Sequence, residues 1–177
     1  NKVAKKRKLA DLAQFEIADF CQTPYPDGSF DVIWGLESIC YALDKSLFLK
    51  EAYRLLSKGG QLIMCDAFLL KSNFTNEQWH TVSSFLKGWV VPNLAKREDF
   101  QQMINEAGFE HTAIEDITPQ ILPSSTHMRD VAQRLKPIQK ISRWLKLRSQ
   151  THTDNFNVGF AQYDFFHGGL AEYCIFK

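Results

Sequence analysis

Two short β-rich apolar runs with one amphipathic helical stretch between them constrain this chain more than any other feature. Asp31-Val32-Ile33-Trp34-Gly35 and Gln61-Leu62-Ile63-Met64-Cys65-Asp66 each read as a buried strand, being short and apolar. Between them Asp44 stands at the N-cap of a helix expected to run to about Ser57. Leu47, Phe48, Ala52, Leu55 and Leu56 fall on one face of it, and Gly59-Gly60 should stop it. Strands joined through a helix in this way pair in parallel, because a parallel crossover needs about a dozen residues or more.

The pattern continues in both directions. Residues 1–10 are Lys/Arg-rich and helical in character, and Phe15-Glu16-Ile17-Ala18 reads as a short strand ending at Asp19. Pro24, Pro26, Asp27 and Gly28 form a turn-rich loop. Downstream, Asn76 to Trp89 is helical, with Trp79, Val82, Phe85 and Leu86 on one face. A second helix is expected from Arg97 to Ala107, ended by Gly108, and a strand from Phe109 to Ile117. Thr126 to Arg148 is a long helical pattern that Pro137 should kink or split. Asp154 to His167 is rich in aromatics, Gly168-Gly169 breaks it, and Ala171 to Phe176 is a last strand. Strands alternating with helices point to an α/β fold with a mostly parallel sheet.

Composition removes several classes. The 177 residues leave room for one domain and a lid, and 21 basic against 20 acidic residues give a net charge of +1, so no global field attracts nucleic acid. No apolar run approaches the ~20 residues of a membrane helix, and no signal peptide is evident. Cys21, Cys40, Cys65 and Cys174 form no C-x-x-C pair and read as reduced cysteines of a cytoplasmic protein. The histidines, His80, His111, His127, His152 and His167, lack metal-ligand spacing, so no metal is expected. Arg129 to Arg148 holds seven basic residues and one acid, the pattern of a solvated face or of a helix drawn to an anionic lipid surface. The remaining oddity is aromatic: 14 Phe, 5 Tyr and 4 Trp.

Ligands of open α/β sheets sit at the carboxyl ends of the strands. Here those ends carry Asp19-Phe20, Gly35-Leu36-Glu37-Ser38 and Asp66, and core packing does not explain the acids. The stretch from Ile17-Ala18-Asp19 through Pro24-Tyr25-Pro26-Asp27-Gly28-Ser29-Phe30-Asp31-Val32-Ile33-Trp34 resembles the middle of a class I S-adenosylmethionine-dependent methyltransferase. Leu55-Leu56-Ser57-Lys58-Gly59-Gly60-Gln61-Leu62 is similar to that family's L-x-P-G-G-x-L signature, with Lys58 in the proline's place. Trp34-Gly35-Leu36-Glu37-Ser38, then Tyr41, Asp44 and Lys45, resembles the small-molecule branch of tocopherol, sterol, sarcosine and sugar O-methyltransferases. So does Gly168-Gly169-Leu170-Ala171-Glu172-Tyr173.

The resemblance implies a Rossmann-like, doubly wound sheet with an antiparallel last strand and helical lid insertions at about 67–96 and 119–168. The family's G-x-G-x-G loop and the acid ending its second strand have no counterpart, so residues 1–177 are expected to be the C-terminal part of one domain. The cofactor implied is S-adenosylmethionine. Asp19 is similar to the aspartate that accepts from the adenine amino group, with the Phe20 amide on a ring nitrogen; a turn aspartate is the plainer alternative. Gly35 and Leu36 resemble the positions whose backbone holds the methionine amino group. Glu37 orients that loop, pairs with a cation, or makes a surface ion pair. Tyr41 stands where some relatives carry a histidine base, and either orients the acceptor or packs on the cofactor. Asp66 is the leading candidate base or amine anchor, with a helix N-cap as the alternative.

Among the aromatics, Trp79, Phe85, Trp144, Phe160 and Tyr163, together with His167, are the expected acceptor contacts, though most such rings serve packing. The expected activity is methyl transfer to an N or O atom of an apolar or amine-bearing small molecule, by a monomer or homodimer, without nucleic acid or an integral membrane. A prenyl or sterol C-methyltransferase, and a non-catalytic interaction module of the same fold, are the rivals.

Overall fold

Strand β1 (Phe30–Leu36) and strand β2 (Leu56–Leu69) pair in parallel, as a strand–helix–strand order requires. The crossover is helix α2 (Lys45–Leu55), whose first turn is closed by Asp44 accepting the Ser46 amide at 2.9 Å. The structure is a computed structural model describing residues 2–145 and 149–177; Asn1 and residues 146–148, where the long basic helix was expected to end, lie outside the described residues.

The other elements follow in chain order. Helix α1 (Lys2–Lys6) opens the described chain, and a 3₁₀ turn (Ile39–Tyr41) follows β1. After β2 come α3 (Asn76–Trp89), α4 (Arg97–Glu106), β3 (Ile114–Asp116), α5 (Thr118–Trp144), α6 (Gln150–His167) and β4 (Ala171–Phe176). The sheet order is β1-β2-β4-β3, with β4 antiparallel to both neighbours, so β1, β2 and β3 share one direction. This is the mixed α/β sheet with a reversed last strand that the sequence led one to expect.

Each sheet face buries its own cluster. On one side Phe48, Leu49 and Ala52 of α2 and Phe100 and Ile104 of α4 meet Met64, Phe68 and Phe176. On the other, Val82 and Phe85 of α3 and Val158, Ala161 and Phe165 of α6 meet Ala67, Ala171 and Tyr173. The α3 N-terminus carries a full capping box, Thr75 with Gln78. No described helix is long and apolar enough to cross a membrane.

Several expectations are corrected. Phe15–Ala18 forms no strand: Phe15 is 65% exposed and Ile17 fully so, because no neighbouring strand offers them a ladder. α1 is shorter than the basic run that suggested it. Helix α2 stops at Leu55 and passes straight into β2, so Gly59, at φ +80°, bends a strand rather than ending a helix. β3 is cut to three residues, since Gly108 (φ +100°) and His111 (φ +57°) turn the chain before it can pair with β4. α5 begins eight residues before Thr126 and stays one helix through Pro123 and Pro137. The carbonyl that Pro137 deprives of a donor belongs to Gln133, which is exposed to water.

Candidate active site

The carboxyl ends of β1 and β2 open into a cavity of about 380 Å³. Its floor is built by sequence-local turns. β1 ends at Leu36, and Glu37 takes φ +49°, a left-handed conformation that is uncommon for a side-chain-bearing residue. Its amide still reaches across the sheet to the Cys65 carbonyl at 2.9 Å. The chain then folds back so tightly that a Cβ on Gly35 would lie 3.0 Å from Ser38 Oγ and 3.1 Å from Ile39 Cδ1. This reversal aims Glu37, Cys40 and Tyr41 into the cavity beside Asp66 of β2.

Asp66 is 4% exposed. Its Oδ2 accepts the Cys40 amide at 2.9 Å, and its Oδ1 accepts the Ala67 amide at 2.9 Å. Burial pushes its pKa up, against the pull of those two amides. The Cys40 thiol is pushed up to about 12 by burial and then by the Asp66 charge, so it stays protonated and is no nucleophile. Tyr173 of β4 donates its hydroxyl to Glu37 Oε1 at 2.7 Å, and burial followed by that bond raises its pKa. Tyr41 donates to the Trp89 carbonyl at 3.0 Å, tying the floor to the end of α3. Its phenol pKa is also raised, chiefly by burial, which makes it a hydrogen-bonding group rather than a base near neutral pH.

Lys45 locks the floor from beneath. Its Nζ donates to the carbonyls of Cys40 (3.0 Å), Ala42 (2.7 Å) and Asn93 (3.0 Å) and to Asn93 Oδ1 (2.6 Å). An ammonium has three donors, so all of them are spent. Asn93 in turn donates to the Leu43 carbonyl at 2.9 Å.

The roof comes from helices. Phe85 and Trp89 of α3, Ile121, Ser124 and Met128 of α5, and Gln162 and Phe166 of α6 face the cavity. Trp89 Nε1 donates to Gln162 Oε1 at 3.0 Å, which joins two of these walls.

The three residues expected to do chemistry, Asp66, Tyr41 and Glu37, therefore line one cavity. Gly35 and Leu36 adjoin it through Glu37. Asp19 and Phe20 do not line it: Asp19 Oδ1 accepts the Cys21 amide at 2.9 Å in its own turn, and Phe20 packs edge-on against Phe48. Of the expected acceptor contacts, only Phe85 reaches the cavity. Trp79 is 54% exposed against Phe74, and Trp144 is 80% exposed. Phe160 lies under the Lys136 ammonium, and Tyr163 is held between Arg129 and His167, each 3.9 Å from its ring centre. His167 also meets Thr126 Oγ1 at 3.2 Å. These rings face helix neighbours or water because α5 and α6 turn other faces inward. Beside Phe85 the wall takes Trp89, Ser124, Met128, Gln162 and Phe166, which were not among the expected acceptor contacts and fall at i, i+4 spacing: 85 and 89, 124 and 128, 162 and 166. Tyr173 stood in a segment that resembled the family, but nothing local marked it as a cavity residue.

Asp116, Glu172 and Cys174 bring ligand-type atoms within 4.8 Å of one another at the β3–β4 edge. The Arg97 guanidinium already supplies positive charge there, 3.1 Å from Glu172 Oε2.

Residues 1–64 match the family model described as a methyltransferase domain. These residues belong to a methyltransferase domain. Over 127 residues the chain is 35% identical to the 27-O-demethylrifamycin SV methyltransferase of Amycolatopsis mediterranei (strain S699), covering 71% of this chain and 46% of that protein. It is 32% identical over 111 residues to phosphoethanolamine N-methyltransferase 1 of Zea mays, covering 63% of this chain and 21% of that one. The chain thus spans less than half the length of these curated relatives. Its fold matches the crystal structure of a putative sarcosine dimethylglycine methyltransferase from Galdieria sulphuraria with a TM-score of 0.74 at 16% identity, covering 99% of this chain and 63% of that one. The class I methyltransferase motifs read in the sequence and the Rossmann-like sheet thus agree with both kinds of comparison.

Proposed function

We propose that this chain is the C-terminal part of an S-adenosylmethionine-dependent methyltransferase acting on an N or O atom of a small molecule. The observation that carries the reading is the convergence of Glu37, Tyr41, Asp66 and Tyr173 on one cavity at the carboxyl ends of parallel strands. Its relatives' methyltransferase names support it. That the domain extends beyond this chain is supported by the relatives' greater length. It is also supported by the open side of β1, where Val32, Trp34 and Leu36 are 52%, 72% and 55% exposed. Segments 67–96 and 119–168 are then the lid, since α3, α5 and α6 roof the cavity. The setting we propose is the cytoplasm, with the cysteines free, and a small-molecule acceptor as partner.

The residues present fit the cofactor in the half of the site they build. A sulfonium is a cation, and the described cavity wall offers carboxylates and aromatic rings with no lysine, arginine or histidine. The Gly35–Leu36 backbone and the turn at Asp19 would hold its methionine and adenine ends. When bound, the cofactor supplies an electrophilic methyl group. The protein's own contribution is position: fixing an acceptor in line removes on the order of several kcal/mol of barrier. Asp66 holds the acceptor's N–H or O–H. Its carboxylate would take that proton as the acceptor receives the methyl group. Tyr41 and the Tyr173–Glu37 pair orient the acceptor, and the helical roof keeps water out.

Calorimetry with S-adenosylhomocysteine on the complete protein tests the reading. Binding is expected, weakened by Asp19→Ala. Absence of binding, or binding indifferent to Asp19→Ala, overturns the cofactor assignment. Asp66→Asn should leave that binding in place and lower kcat by about a hundredfold, the usual share of a positioned acid or base.

A further inference from the structure

Charge within the cavity separates the acceptors that this wall can receive. Two carboxylates, Glu37 and Asp66, face the space, and among the described residues no cationic side chain lines it. Three cations on neighbouring elements are committed elsewhere. Lys45 spends its donors on Cys40, Ala42 and Asn93. Arg129 is stacked on Tyr163 and bonded to Asp130 at 2.8 Å, and Arg97 is paired with Glu172. An anion in this cavity meets no counter-charge from the described residues, and a phosphate brings close to two negative charges of its own. Burying such a group unpaired is among the costliest moves available to a binding site.

The same wall suits a cation. Glu37 Oε1 is taken by the Tyr173 hydroxyl, while Oε2 has no partner among the described residues. Each Asp66 oxygen accepts one backbone amide and the Cys40 thiol also bonds this carboxylate, which still leaves one acceptor position open. Trp89, Phe85 and Phe166 supply ring faces for the charge and apolar surface for the remainder of the molecule. We propose that the acceptor bound here is an amine on an apolar body that carries neither phosphate nor carboxylate, its nitrogen held between Glu37 and Asp66. This rests on the methyl-transfer reading and narrows it.

The test uses four probes sharing one phenyl body: 2-phenylethylamine, 2-phenylethanol, 3-phenylpropanoate and 2-phenylethyl phosphate. Each is titrated calorimetrically into the complete protein, free and saturated with S-adenosylhomocysteine. The amine should bind about tenfold or more tighter than the alcohol, the scale of one charge-assisted hydrogen bond, and the two anions more weakly than the alcohol. Glu37→Gln should remove most of the amine's advantage and leave the alcohol unchanged. Asp66→Asn should do the same, and either variant serves if the other fails to fold. The proposal is overturned if the amine does not bind, if the alcohol or either anion matches it, or if its advantage survives both substitutions. S-adenosylhomocysteine binding is measured separately. Its loss counts against methyl transfer, whereas the ranking of the probes on the free protein stands or falls by itself.

Discussion

The floor and the roof of the cavity enclose the same space but are held by opposite means. On the floor each charged side chain has a named partner: Asp66 with the Cys40 and Ala67 amides, Glu37 with Tyr173, Lys45 with Asn93. The roof is held mainly by rings and methyls, beside the Trp89–Gln162 and Asn155–Gly88 bonds. Phe85 stacks on Phe165 at 4.3 Å, Phe165 meets Phe166 edge-on at 5.2 Å, and α6 presses against α3 at a glycine. Directional bonds fix atoms to fractions of an ångström, which suits the end of the cavity where a proton moves. Packing fixes a shape while tolerating changes of side chain, which suits the wall that selects the acceptor. The comparison is broken most forcefully at Phe165, which is fully buried behind Phe85 and Phe166 and does not itself line the cavity. Phe165→Ala should cost about 3–5 kcal/mol of unfolding free energy in a denaturant titration. A loss below about 1 kcal/mol would mean that the roof is not one packed unit.

A sharper probe of the same contrast is Gly88. A Cβ there would lie 2.6 Å from Val158 Cβ, 2.8 Å from Val158 Cγ2 and 3.0 Å from the Asp154 carbonyl. The first two contacts are with a side chain that can be cut back; the third is backbone. Gly88→Ala should therefore destabilise by about 1–3 kcal/mol, read as a fall in melting temperature. Pairing it with Val158→Ala should recover part of that loss, so the double variant is more stable than the sum of the singles. Strict additivity would show that α3 and α6 do not approach at this point. No equivalent relief exists on the floor, where a removed carboxylate leaves buried amides without acceptors.

The same division governs what the sequence disclosed. β1, β2, β4, the Asp44 cap and the span of α3 were legible, because each is written in neighbouring residues: β-rich runs, a capping side chain, a periodic apolar face. The acids were conspicuous beside apolar runs, but only Glu37 stands just past a strand: Asp66 lies inside β2, Asp19 follows no strand, and the β1 run read as buried is largely exposed. Phe15–Ala18 misled because a strand exists only by pairing, and no adjacent residue reports whether a partner is present. The Tyr173–Glu37 bond spans 136 positions in the chain, and nothing near either residue announces the other. The roof was the hardest part to read. An aromatic-rich helix shows several candidate faces, and the choice among them is made by the neighbouring helix.

Trp89 and Trp144 illustrate that choice, and they set the smallest effect expected here. Both are tryptophans at the carboxyl end of a helix and are equivalent in composition. Trp89 lines the cavity and donates its indole N–H to Gln162, whereas Trp144 is 80% exposed at the end of α5. An exposed ring gives up little on removal, because its surface is already in water. Trp144→Ser should change the unfolding free energy by no more than about 0.5 kcal/mol and leave probe binding in the cavity unaltered. Trp89→Ser, measured alongside, should weaken binding of every phenyl-bearing probe, since it removes a wall and strands the Gln162 carbonyl. If Trp144→Ser instead loosened the probes as Trp89→Ser does, α5 would have to present its other face to the cavity. The roof's inward positions at Ile121, Ser124 and Met128 would then have to be reassigned with it.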